Sequence, residues 1–343
     1  MTLAEQALRD AARERFAWGG GVRWQIIDPD IDGVLSAALL HSMYGWKVLG
    51  YFDKATLWLR RGTQVPLDLT SVAWVDIDMA WPGALSISHH VVLEEASPTS
   101  SPPALSQAVN PSLLRGNYYL PRRVGYEDKY PFGTFQWLWW FLNVRLELAH
   151  LDTPVGRGLA WMPDGGATSV RGKHADNCIR WACDIMPGSL LEPTARTRPS
   201  AALADVLSAK QYLQEHSGVT EGWTSSGHWE VTRGVAAGPG GKTSTTRGEP
   251  DVQLLTDAVT QFYDMPHVEL PGDLDEYRGE WHRGDSIPRW GSRSADPLVC
   301  AAFTGFAQAR WTEAAPGLSG AEAALAAKVF GHGTLGQALG HPR

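Results

Sequence analysis

The chain has 343 residues, enough for two domains, with 43% hydrophobic and 20% charged residues, the balance of an ordinary globular protein. No stretch approaches about 18 consecutive apolar residues, so no membrane span is expected. A net charge of −7 argues against a long basic groove for duplex nucleic acid. The three cysteines are too few and too scattered for a disulfide framework, and Cys178 and Cys183 have neither zinc nor redox spacing, so a reducing, cytoplasmic setting is expected.

Met1 to Phe16 reads as an amphipathic surface helix without the apolar core of a signal peptide. The first half then alternates strand and helix signals. Strands are expected at Val22 to Asp28, Lys47 to Phe52, Val72 to Ile77 and Ala84 to Ser88, and helices at Val34 to Tyr44, Thr134 to Ala149 and Ala175 to Met186. This alternation predicts an α/β fold, a parallel sheet with helices on both faces. Pro and Ser crowd Ala96 to Ala104. Three prolines between Pro187 and Pro199 mark a boundary. The expected domains are 1–187, a linker at 188–200, and a smaller α+β domain at 201–343. In the latter, helices are expected at Ala201 to Glu215, Asp251 to Tyr263 and Glu322 to Phe330, with a strand at Trp229 to Ala236. Most of the 16 tryptophans belong in the core, since Trp74, Trp137, Trp139 and Trp140 fall inside apolar runs.

The most informative segment is Asp28-Pro29-Asp30-Ile31-Asp32-Gly33, directly after the apolar run that ends at Ile27. Three carboxylates on one turn repel each other, and a cation among them offsets the repulsion. Against a calcium loop of the EF-hand type, Leu39 stands where its last glutamate would be. Two more apolar strands end in ligands: Trp74-Val75-Asp76-Ile77-Asp78 and Ile87-Ser88-His89-His90. Open α/β sheets bind at the carboxyl ends of their strands, so all three can meet at one edge. Carboxylates together with imidazoles suit Mn²⁺, Fe²⁺ or Zn²⁺ better than Ca²⁺.

In order and spacing these motifs resemble the DHH phosphoesterase superfamily, which includes RecJ-type exonucleases, nanoRNases, cyclic-dinucleotide phosphodiesterases and family II pyrophosphatases. The resemblance covers roughly residues 20 to 185, with Val109-Asn110-Pro111 following as an Asn-Pro often does there. It implies a two-metal site for divalent ions, Mn²⁺ being the expected metal and Mg²⁺ the alternative. Asp30 with Asp28 would hold one ion, Asp32 and His89 the other, and Asp76 would bridge both. His90 would contact the scissile phosphate or protonate the leaving group. A fourth-motif aspartate is expected at Asp164, which follows a short apolar stretch, with Asp152 as the other candidate. Ser88 replaces the family's aspartate before the two histidines.

Arg122, Arg123 and Lys129, near the start of the helix that Thr134 would cap, could bind substrate phosphate. The expected activity is metal-dependent hydrolysis of phosphodiester bonds in short or single-stranded nucleic acid or small nucleotides. Two other functions remain open: a nucleotide-binding sensor of the same fold, suggested by Ser88, and a P-loop nucleotide hydrolase centred on Lys242 in Gly238-Pro239-Gly240-Gly241-Lys242-Thr243. The number of subunits stays open, a homodimer included.

Overall fold

The computed structural model describes residues 3–52, 56–63, 67, 71–77, 84–89, 108–114, 130–171, 174–197, 199–223, 229, 249–278, 280–283, 300–304 and 307–311. His90, Arg122, Arg123, Lys129, Asp78 and Lys242 lie outside these residues, as does the segment Glu322 to Phe330. In chain order the main elements are α1 (Leu3–Ala17), β1 (Trp24–Ile27), α2 (Ile31–Tyr44), β2 (Lys47–Phe52), β3 (Thr56–Arg60), β4 (Val72–Val75), β5 (Leu85–Ile87), α3 (Pro111–Leu114), α4 (Thr134–Phe141), α5 (Pro154–Trp161), α6 (Gly166–Ser169), α7 (Ala175–Ile179), α8 (Glu192–Ala195), α9 (Ala202–Ser217), α10 (Glu249–Phe262), β6 (Leu274–Arg278), β7 (Glu280–Arg283), β8 (Cys300–Thr304) and β9 (Ala307–Trp311). Among the described residues no helix is long and apolar enough to cross a membrane.

Internal contacts divide the chain into two units, one of residues 1–13, 29–47 and 130–270, the other of 14–28, 48–129 and 271–343. The division does not fall at the proline-rich segment 188–200, which lies within the first unit and carries α8.

The second unit holds a six-stranded sheet in the order β5-β4-β1-β2-β3-β6 and a three-stranded antiparallel sheet in the order β7-β9-β8. In the larger sheet β1, β4 and β5 run parallel, whereas β3 runs antiparallel to both β2 and β6. The sheet is therefore mixed, not wholly parallel. Only three residues separate β2 from β3, too few for a parallel crossover, and so the pair turns back on itself. β6 comes from a Gly-, Asp- and Arg-rich stretch that carries no clear alternation, and it is held by pairing along the whole of β3. The chain leaves β1 toward β2 on one side, and β4 lies on the other. The carboxyl ends of β1 and β4 thus flank a topological switch point, the usual ligand position in such sheets.

The first unit is helical. α2 is buried on every side from Ile31 to Leu40, as suits a central helix. It starts at Ile31, three residues before the first apolar-periodic position, because Asp30 caps it. It ends at Gly45, which takes the left-handed conformation at φ 67°. α4 is likewise entirely buried, and stops at Phe141 short of the expected Ala149, with Asn143 turning the chain at φ 54°. α5 carried a legible start signal, Thr153-Pro154, with the Thr153 hydroxyl accepting from Gly156 N at 3.1 Å. Its glycines argue against a helix when read alone. Two close approaches explain them: a Cβ on Gly156 would lie 2.1 Å from the His150 carbonyl oxygen, and one on Gly158 would lie 2.0 Å from the Asp205 carbonyl oxygen and 2.7 Å from Ala209 Cβ of α9. Beside this contact Arg157 donates to both carboxylate oxygens of Asp205, at 2.8 and 3.1 Å. Gly158→Ala is accordingly expected to force α5 from α9 and to cost about 2 kcal/mol, the range of core overpacking. Thermal unfolding followed by circular dichroism checks this, and an unchanged Tm would contradict so close an approach.

Candidate metal centre

The parallel register places three motif residues side by side. Ile27 pairs with Val75 and Val75 with Ile87, so Asp28, Asp76 and Ser88 come next at the carboxyl edge. The ladder runs one residue further: Asp28 N donates to Val75 O at 3.1 Å and Asp76 N to Ile87 O at 2.7 Å. There the chain turns sharply. Asp76 sits at φ 60°, a left-handed conformation that costs a non-glycine residue about 1–3 kcal/mol and that clusters at functional sites. The Ser86 hydroxyl donates to Ile77 O at 2.7 Å and pins the turn. Ser88 is fully buried and accepts from Asn110 Nδ2 at 3.1 Å. The Asn110 side chain is thereby tied to the residue that departs from the third motif.

Asp30 and Asp32 are oriented by helix amides. Asp30 Oδ1 accepts from Asp32 N and Gly33 N, both at 2.9 Å, the N-cap of α2. Asp32 accepts from Thr134 N at 2.6 Å through Oδ2 and from Phe135 N at 2.8 Å through Oδ1. It therefore caps α4 in place of Thr134, which lies inside the helix; the N-cap position belongs to Gly133, which has no side chain to offer. Gly133 is needed for space: a Cβ there would lie 2.3 Å from Asp32 Oδ2 and 2.6 Å from Pro163 Cβ. Tyr130 donates its hydroxyl to Gly133 O at 2.9 Å. Burial first, and then the charges of Asp32 and Asp164, push the Tyr130 phenol well up, so it serves as a neutral donor and not as a base.

The ligand atoms of Asp28, Asp30 and Asp76 all lie within 4.8 Å of one another, and so do those of Asp32, Asp76 and His89. All five residues are buried, at 1–6% exposure. Four carboxylates held this closely out of water carry a large electrostatic cost, which bound cations would remove. His89 Nδ1 and Asp76 Oδ1 are 3.1 Å apart. That is a hydrogen-bond distance, and it is also the spacing of two adjacent ligands on one ion, since bonds of about 2.0–2.2 Å at a right angle give about 3 Å. The donor set of carboxylate oxygens and one imidazole fits a divalent transition ion. Buried Asp and His clusters that could hold a metal ion are thus a property of this fold.

Asp76 is common to both groups, the position the resemblance gives to a bridging ligand. Asp164 joins neither. It is exposed, on the turn Pro163–Gly165 after α5 rather than at a strand end, at φ 46°. The apolar stretch before it is helical because Thr153 and Pro154 start a helix there. Asp152 is exposed in the turn before α5 and is also in neither group. Gly133 and Tyr130 had no role in the sequence reading. Their only trace was a glycine directly before an apolar helix.

Comparison of the chain with family models, with curated proteins and with solved structures finds no match.

Proposed function

We propose that this chain is a metal-dependent phosphoesterase of the DHH type, hydrolysing phosphodiester bonds in short or single-stranded nucleic acid or small nucleotides. The observation that carries the reading is the sharing of Asp76 by two groups of buried ligand atoms at the switch point of the sheet. Asp28 and Asp30 would hold one divalent cation, Asp32 and His89 a second, with Asp76 on both; Mn²⁺ is the first choice and Mg²⁺ the next. Such a pair of ions supplies a hydroxide nucleophile at neutral pH and neutralises charge on the phosphoryl oxygens. The chain's own contribution is orientation. Amides of α2 fix Asp30, amides of α4 fix Asp32, and the strained turn at Asp76 aims its carboxylate at both groups. Arg122, Arg123 and Lys129 are assigned to substrate phosphate, and His90 to the leaving group. The net charge favours small or single-stranded substrates.

The test uses the full chain, stripped with a chelator and titrated with Mn²⁺. Calorimetry is expected to show two equivalents bound. Thermal stability should rise with added metal, by about 2.7 kcal/mol for each ion bound at a hundredfold excess over Kd. The loaded protein is then offered short RNA, short single-stranded DNA, cyclic dinucleotides and pyrophosphate. Hydrolysis of one of the first three is expected. Absence of Mn²⁺ binding would sink the metal reading; binding without hydrolysis would sink the enzyme alone.

A second reading, a nucleotide sensor of the same fold, is favoured by Ser88 and its bond to Asn110. Ser88→Asp separates the two. A carboxylate beside a ligand imidazole fixes its tautomer and raises its basicity, so the enzyme reading expects tighter Mn²⁺ binding or a faster rate, by roughly tenfold. The variant should be less stable than wild type without metal, because it buries a further acidic group. Loss of metal affinity together with unchanged nucleotide binding would favour the sensor.

A further inference from the structure

The Asp32 carboxylate is held by the start of α4, since its two oxygens accept from Thr134 N and Phe135 N. The shorter of these bonds, 2.6 Å from Thr134, hangs on a single peptide unit. The Thr134 N–H and the Gly133 carbonyl belong to the same peptide, which is planar, with the two groups pointing in opposite directions. The Tyr130 hydroxyl donates to that carbonyl at 2.9 Å. Tyr130 and Asp32 therefore grip one rigid plate from its two sides. A further bond to the Gly133 oxygen, from Trp137 N within α4, is longer at 3.4 Å. A donor on the carbonyl also polarises the peptide and strengthens its N–H as a donor, by about 10–30% per bond. The phenol ring is fixed in turn. It is 1% exposed and lies edge-on against Phe132, Trp137 and Trp181, at 5.7, 6.1 and 5.1 Å between centroids. Burial among them keeps the phenol protonated, and so a donor.

We propose that Tyr130 is a positioning residue of the metal centre: through the Gly133–Thr134 peptide it holds the Asp32 carboxylate in place for the ion that Asp32 shares with Asp76 and His89. The ion at Asp28, Asp30 and Asp76 does not use Asp32 and lies outside this control. The inference rests on the two-ion reading of the site and not on phosphoesterase activity.

Tyr130→Phe removes one oxygen and leaves the ring among its aromatic neighbours, so it should fold. Tyr263→Phe is the control. Tyr263 is also 1% exposed, and its hydroxyl donates to Gly156 O at 2.6 Å, in α5, which contributes no ligand. The control therefore loses a buried hydroxyl–carbonyl bond of the same kind without touching the Gly133–Thr134 peptide. The first readout is the Thr134 amide in the chelated full chain, followed by NMR with threonine labelled in ¹⁵N. A short bond to a carboxylate should place its proton downfield and slow its exchange. Tyr130→Phe should move it upfield and speed exchange, and Tyr263→Phe should leave it alone. The second readout is calorimetric titration with Mn²⁺. Tyr130→Phe should weaken one of the two equivalents by about tenfold, as loss of a partner that orients a ligand does, and leave the other unchanged. Tyr263→Phe should leave both unchanged. An unmoved Thr134 amide, both affinities kept despite a moved amide, both equivalents weakened, or the same weakening in the control would each overturn the proposal. Wild type that binds no Mn²⁺ would end the two-ion reading and this inference together. Wild type and Tyr130→Phe binding two ions equally well would end this inference alone.

Discussion

Asp76→Asn is expected to remove both metal equivalents at once and, with them, at least about a hundredfold of any hydrolytic rate. The amide is nearly isosteric with the carboxylate, so packing at this buried position is kept, and the change isolates charge and ligand strength. Asp76 belongs to both ligand groups, whereas Asp28, Asp30, Asp32 and His89 each belong to one. Loss of any of the four should therefore spare one equivalent, and loss of Asp76 should spare none. The chelated variant should be at least as stable as chelated wild type, since one charge fewer is crowded with other buried carboxylates. Calorimetric titration with Mn²⁺ and thermal unfolding with and without metal give both readouts. A variant that still binds two equivalents would refute Asp76 as the shared ligand.

Gly133→Ala is the second large effect expected. Gly133 has φ −83°, which any residue adopts, so backbone strain is not the reason. The added methyl would meet Asp32 Oδ2 at 2.3 Å and Pro163 Cβ at 2.6 Å. Asp32 must then let go of Thr134 N and Phe135 N, or α4 must shift. The first route leaves the buried amides of a helix start without their acceptor. Each route costs about 2–3 kcal/mol by overpacking and a lost charge-assisted bond. Mn²⁺ binding should fall to the one equivalent that does not use Asp32. Thermal unfolding and the metal titration check the two consequences separately. Normal stability with two equivalents bound would mean that Asp32 is not positioned by α4.

Much of this was legible in the sequence. β2 was readable to the residue, and β1, β4 and β5 as apolar runs of the expected place. Each carries its own local signal: a mostly apolar stretch closed by acidic or polar residues. The acidic turn before α2 was also local, since an Asp cap acts on amides two and three residues away, but the helix start at Ile31 lay three residues ahead of the expected Val34. The candidate ligands Asp28, Asp30, Asp32, Asp76 and His89 could be named because strand ends are where such sheets gather chemistry.

What the tertiary structure alone decided were relations between distant segments. Nothing near β3 or β6 in sequence says that they pair; the backbone hydrogen bonds between them join residues more than 200 positions apart. α5 was not among the expected helices, and only the approach of α9 explains why Gly158 carries no side chain. The exclusion of Asp164 from the ligand groups came from the short apolar stretch before it being helical, with Asp164 on the turn that follows. Asp32 was recognisable as a carboxylate on an acidic turn, but its second role, capping a helix about 100 residues away, has no local signature. The sequence determined which groups could ligate, because that is a property of residue type and local order. Which of them share an ion, and what holds each in place, depends on contacts across the chain that only folding creates.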